Sequence, residues 1–272
     1  MITILTLGVI VSAILIWSIP KLQMRGLSSV DDPIKKRELE NELRKTIVQI
    51  VGGFSLIISL LFTWHQLVQS KSKDIADQIN KTISLMGNEN EYVRIGAIYS
   101  MEQLAVNHED SSVIIVDILT SYVRNTFPWS NKALPEHRNE VSQAAMSVIS
   151  NAIRTAVNVR VDLSNTDLRR LDLQNRALSR CILIDVHFDA AELTKANFDN
   201  SDLTGSVFDD ANLDHASFVR ANLSHASFAG ATLAATDFSG ADLRGVTGIK
   251  REDITSQKAI ISQETKLSKE LL

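Results

Sequence analysis

From Leu163 to Leu243 a bulky Leu or Phe recurs every five residues, seventeen consecutive positions without a miss. Two residues before each, from Ala191 to Ala241, stands only Ala, Ser or Thr. A strict period of five fits neither the 3.6-residue turn of an α-helix nor the two-residue alternation of a strand. A fixed short repeat of this kind builds a solenoid, in which each unit is stable only when stacked on its neighbours.

Units such as AELTK, ANFDN, SDLTG and ADLRG resemble the pentapeptide-repeat family, whose tandem A-(D/N)-L-x-x units they match closely. The resemblance implies a right-handed four-sided (quadrilateral) β-helix with four pentapeptides per coil. The Leu or Phe and the small residue before it would point inward, and the other three positions would face solvent. Twenty residues per coil would stack Leu163, Leu183, Leu203, Leu223 and Leu243 on one face. Phe188, Phe208 and Phe228 would stack on the next face, and Phe198, Phe218 and Phe238 on the face opposite that one. These eleven residues form the expected structural core. Stacked coils should lie ~4.8 Å apart, the spacing of hydrogen-bonded strands. Arg176 and Cys181 occupy small inward positions. A guanidinium in an apolar core is costly, so the first coil is expected to be distorted at Arg176. Cys181 reads as a buried, inert thiol.

Upstream, residues 2–19 form an uncharged apolar run near the lower limit for a bilayer span. It lacks the basic start and small-residue cleavage site of a signal peptide. A second apolar run covers Ile47 to Thr63 and ends at Trp64. Together they predict a two-helix membrane hairpin. The loop between carries seven Lys/Arg, against three in the twenty residues after His65. The positive-inside rule then leans both chain ends to the outside. Residues 72–157 read as four helices, near 73–86, 91–106, 110–126 and 138–154. The second is amphipathic through Val93, Ala97, Ile98, Met101, Leu104 and Ala105, and the third is apolar nearly all round. They resemble a HEAT or armadillo-like module. Membrane-associated pentapeptide-repeat proteins pair an anchor with segments similar to ISLMGNENEYVRIGAIYSMEQLA and VDILTSYVRNTFPW ahead of the repeats. That resemblance implies a bacterial inner-membrane protein whose helices cap the open end of the β-helix.

The expected organisation is a transmembrane helix over 1–20, a charged amphipathic loop over 21–45 and a second span over 46–65. A helical adaptor over 66–157, the β-helix over 158–247 and a C-terminal cap and tail over 248–272 follow. No nucleotide loop, Gly-rich fingerprint or paired metal-ligand spacing is present, so no catalytic, cofactor or metal site is expected. His187, His215 and His225 read as solvent-facing, because no second ligand accompanies them at metal spacing. Residues 158–247 hold 13 Asp/Glu against 8 Lys/Arg, a modest and mixed charge that argues against imitation of the dense phosphates of DNA. The functional expectation is a membrane-anchored protein-interaction or scaffolding module with an unknown protein partner and no nucleic acid. Asp199, Asn200, Asp209, Asp210, Asp214, His215, Arg220 and His225 are the candidate partner-facing residues. The alternatives are a regulatory or sensory role for the helices or the loop, and a DNA-mimicking topoisomerase inhibitor.

Overall fold

The computed structural model describes residues 18–19, 33–130, 133–155, 159–267 and 271. It divides into two compact units, Met1–Asp74 and Ile75–Leu272. The first contains most of helix α1 (Pro33–Met86), whose 54 residues extend about 80 Å at 1.5 Å per residue. This one helix runs through the segments that the sequence divides into a charged loop, a span and a first adaptor helix. No residue from Pro33 to Met86 forces an interruption: Gly52 and Gly53 are tolerated in a helix, and Pro33 sits at its first position. Among the described residues α1 is the one helix long and apolar enough to cross a membrane, and none of its apolar window is buried. The expected first span, residues 2–19, lies outside the described residues apart from Ser18 and Ile19, which are helical. The described residues thus hold one candidate span, the second of the two expected. Near its start α1 carries the ion pairs Arg44–Glu40 and Lys45–Glu42, at i,i+4 and i,i+3 spacing.

The second unit begins with the end of α1, which buries Thr82 and Met86, and continues with three packed helices, α2 (Glu91–Asn107), α3 (Glu109–Thr126) and α4 (Glu140–Thr155). The Asn90 side chain caps α2 by accepting from the Tyr92 amide, and Asn139 does the same for the Ser142 amide ahead of α4. Ile98, Met101, Ile115, Leu119, Met146 and Ile149 fill the space between them. Helix α3 is less enclosed than its composition suggests. It buries Ile115, Val116, Leu119 and Val123, while Val113 and Ile114 stand exposed on its first turns.

The β-helix follows, with the 20-residue coil that the repeat requires. Parallel bridges join Asp162 to Ile182, Asp167 to His187, Asp172 to Glu192 and Ala177 to Asn197, and the same four-per-coil set climbs the tower. From Leu163 to Phe228 each inward Leu or Phe donates its amide to the next coil, as Leu163 does to the Ile182 carbonyl at 2.9 Å. The residue after it but one turns the corner with positive φ, at Asn165, Arg170, Asn175, Arg180 and their equivalents above. All eleven core residues named from the sequence are fully buried. The phenylalanines form two ladders. Phe188, Phe208 and Phe228 stack at 5.1 Å, and Phe198, Phe218 and Phe238 at 4.9 and 5.3 Å. The ladders meet edge-to-face across the core, as between Phe208 and Phe218 at 5.7 Å. Both geometries suit the aromatic quadrupole. The residues flanking each core position are half-buried rather than fully solvated, because their side chains lie against those of adjacent coils; the corner residues carry most of the exposure.

The first coil keeps its register at Arg176. The guanidinium leaves the core and donates to Ser147 Oγ and Asn151 Oδ1 on α4, at 3.0 and 3.4 Å. The expected distortion does not occur, because the lowest coil abuts a helix that supplies acceptors. At the far end the repeat stops at Gly248. Helix α5 (Arg251–Ser256) and the tail then fold over the last coil, burying Ile249, Ile254 and Leu271. Strand β1 (Asp242–Leu243) pairs parallel with tail strand β2 (Lys266–Leu267).

Candidate protein-interaction site: the capped tower and its outer faces

The lowest coil of a β-helix presents amides that regular coils bond to the coil beneath. Here the helices supply acceptors on three faces. The Asp167 amide donates to the Phe127 carbonyl, and the Trp129 amide donates to Asn165 at 2.7 Å. The Asp172 amide donates to Gln143 Oε1 at 2.8 Å, while Gln143 Nε2 donates back to the Asp172 carbonyl at 2.7 Å. The Ala177 amide donates to Ser150 Oγ at 2.9 Å. On the remaining face Arg124 pairs with Asp162 at 2.9 Å. Burial opposes ionisation of the Asp162 carboxyl, but the Ser164 hydrogen bonds and the cations Arg124 and Arg160 outweigh it and lower its pKa.

Trp129 completes this junction. Its ring lies parallel to His187 with centroids 3.3 Å apart, and the Arg169 guanidinium sits 4.8 Å from the ring centre. Arg169 is itself buried and held by Asp167 through Nε and Nη2, both at 2.8 Å. His187 also meets Asp189 at 3.2 Å. His187 is thus a packed part of the cap rather than a solvent-facing residue. No periodic signal in the sequence links residue 129 to residue 187.

The other candidates divide by position. His215, Arg220, His225, Asn200 and Asp210 are exposed corner residues with positive φ. Asp199, Asp209 and Asp214 are half-buried and bonded to the coil above. Asp199 Oδ1 accepts from the Val219 amide and the Ser217 hydroxyl, Asp209 Oδ1 from the Ala229 amide and the Ser227 hydroxyl, and Asp214 Oδ1 from the Ala234 amide. Asp242 holds both Arg244 and Lys266, at 2.7 and 3.4 Å. The Arg244 hydrogen bond leads in drawing its pKa down to about 2. Burial pushes the Cys181 thiol up to about 12, far from the thiolate form that reactivity needs. Among the described residues no cluster of three His, Cys, Asp or Glu could hold a metal ion.

A family model described as a pentapeptide repeat region matches residues 181–255. Coil geometry and family model together define this part of the chain as a pentapeptide-repeat β-helix. Among solved structures the chain is similar to HetL, a pentapeptide repeat protein involved in heterocyst differentiation regulation from the cyanobacterium Nostoc sp. strain PCC 7120. The identity is 22% over 40% of this chain and 58% of HetL, with a TM-score of 0.26. The match therefore spans a little over half of HetL's length. QnrB1, a plasmid-mediated fluoroquinolone resistance protein, is 20% identical over 41% of this chain and 79% of its own, with a TM-score of 0.18. A pentapeptide repeat protein from the Arabidopsis thaliana thylakoid lumen is 28% identical over 31% and 69%, with a TM-score of 0.13. A comparison with curated proteins returns no match.

Proposed function

We propose that this chain is a membrane-anchored, non-catalytic protein-interaction module, in which α1 holds the molecule at a bilayer and the tower offers flat faces to a protein partner. The observation that carries the reading is the filled core. Leu and Phe ladders occupy the whole interior of the tower, so its chemistry can only be surface chemistry, and that surface is a regular array of polar rungs. The exposed apolar window of α1 supports the anchor, because a helix with Phe54, Leu60 and Leu61 open on its surface needs lipid or protein around it. The loop charge leans the tower to the side opposite residues 21–45, and a bacterial inner membrane suits the resemblance. The partner-facing residues are the exposed corners Asn200, Asp210, His215, Arg220 and His225, with Asp199, Asp209 and Asp214 between them.

The test is photocrosslinking in intact cells from single positions of the full chain. Asn200 and His215 are the tower positions, and Ile57 in α1 is the control. Discrete adducts of reproducible mass from the tower positions are expected. Absence of any adduct from both, with the chain folded and membrane-bound, would remove the binding-module reading. Recovery of the chain in the soluble fraction would remove the anchor.

A further inference from the structure

Over its second and third coils the tower is charge-split. One Phe-ladder face is built on Leu178, Phe198, Phe218 and Phe238. Over its first three coils its two corner columns carry Lys195 and His215 on one side and Arg180 and Arg220 on the other, with no carboxylate in either column. All four are exposed at positive-φ corners. Between them the face is small and largely uncharged: Ala177, Asn197, Ser217, Ser179 and Val219. Its one carboxylate there, Asp199, already accepts from Ser217 and Val219. The opposite Phe-ladder face is built on Phe188, Phe208 and Phe228. In its second and third coils it carries Asp185, Asp189, Asp209 and Asp210, with His187 the sole basic group there and already stacked on Trp129, while Arg170 and His225 stand exposed on its corners in the first and fourth coils. Asp185 and Asp210 stand exposed on its two corners.

We infer that the Arg180–Lys195–Arg220 face docks a second copy of this chain, through that copy's Asp185–Asp210 face. The inference rests on reading the tower as a protein-binding surface and names its partner. Two observations favour a second copy over an unrelated acidic protein. The complementary surface is present on the same molecule. Asp189 and Asp209 also lie one coil apart, the ~4.8 Å spacing that separates Lys195 from His215, so these two pairs meet in the same register. A generic acidic segment would match one contact and drift from the next. Because the faces lie on opposite sides of the tower, the contact is head-to-tail and does not close, which gives open rows of towers. Anchoring in a bilayer would confine such rows to the membrane plane and raise the local concentration.

The experiment uses the full chain in mild detergent, sized by light scattering at about 0.1 M and about 1 M salt, where the screening length falls from about 10 Å to about 3 Å. Two charge-reversed variants accompany it. One is R180E/K195E/R220E, which makes both faces acidic. The other is D185K/D210K, which makes both basic. Every substituted corner already bears a side chain at positive φ, so the fold is kept, and circular dichroism checks it. The wild type is expected to associate at low salt and to fall to monomer at high salt, with apparent affinity at least ~10-fold weaker. Each variant alone is expected to stay monomeric, and an equimolar mixture of the two to associate again. A monomeric wild type at low salt would overturn the inference, as would association that ignores both salt and the variants. If the wild type is monomeric but tower crosslinks to other proteins persist in cells, self-docking alone fails. If those crosslinks are absent too, the binding-module reading fails with it.

Discussion

Gly248 stands where the five-residue series would next place a Leu or Phe, and its backbone φ is +82°. A Cβ there would overlap the backbone of Phe228 and Ala229. The chain can leave the last coil and turn into α5 only by passing this close to the coil below. Gly248→Ala is therefore expected to destabilise the closing segment by about 1–3 kcal/mol, through strain at positive φ and the backbone overlap. Thermal denaturation of the variant checks it, and an unchanged midpoint would contradict the geometry. Asp242 gives the same end of the tower a pH signature. Its folded pKa is near 2, below the ordinary carboxylate value, so its stabilising effect is full above about pH 4 and disappears as the pH falls through 2. Asp242→Asn should thus lower the midpoint at pH 7 and match wild type near pH 2. The difference should stay below about 1 kcal/mol, because the Arg244 partner is largely exposed. A gap that widens on acidification would reverse the sign and refute the assignment.

Among elements, the inward positions of the β-helix are legible in the sequence to the single residue, and its cap is not. A period of five places Leu163 through Leu243 inward, and the 20-residue coil separates Phe onto two opposite faces, because every coil repeats the same constraint. Phe208 shows what that regularity stabilises: it stacks on Phe188 and Phe228 and meets Phe198 and Phe218 edge-on. Phe208→Ala should cost about 3–5 kcal/mol, as for other buried Phe truncations, and a midpoint shift of a few degrees or less would argue against a close-packed ladder. The junction carries no repeat. Gln143 with Asp172, Ser150 with Ala177 and Trp129 with His187 are single long-range pairs, each made once. Arg176 misled for the same reason, since its acceptors Ser147 and Asn151 belong to a helix that the period says nothing about. The stretches read as helical after Pro33, across 46–65 and near 73–86 are one continuous helix, α1: composition changes sharply at residues 46 and 65, while helical geometry does not. Gln143→Ala tests the cap. It leaves the Asp172 amide and carbonyl without their partner and is expected to cost about 1–3 kcal/mol, read as a fall in the unfolding midpoint.

At the scale of the molecule, the three helices and the tower form one compact unit, Ile75–Leu272, joined on all four faces of the first coil. A solenoid with a free lower edge would invite strand addition from other chains. The helical module closes that edge with its own carbonyl, amide and hydroxyl groups, so neither part is expected to keep its structure when the other melts. The protein has only three tryptophans, Trp17, Trp64 and Trp129, and Trp129 alone lies in the second unit. With Trp17 and Trp64 replaced by Phe in the full chain, fluorescence reports the junction through the stack on His187 and Arg169. Far-ultraviolet circular dichroism reports the helices in the same sample. Adding Phe208→Ala, in the third coil and remote from Trp129 in sequence, should lower the fluorescence midpoint and the second unit's helical transition together. A cooperative body transmits the loss of a core ring to its cap. Helicity of α1 that persists in detergent beyond that transition adds only a baseline, so the comparison is between midpoints rather than amplitudes. If Phe208→Ala shifts the tower but leaves the Trp129 midpoint in place, the cap and the tower are separate folding units, and the helices would then be free to detach and expose the edge they cover.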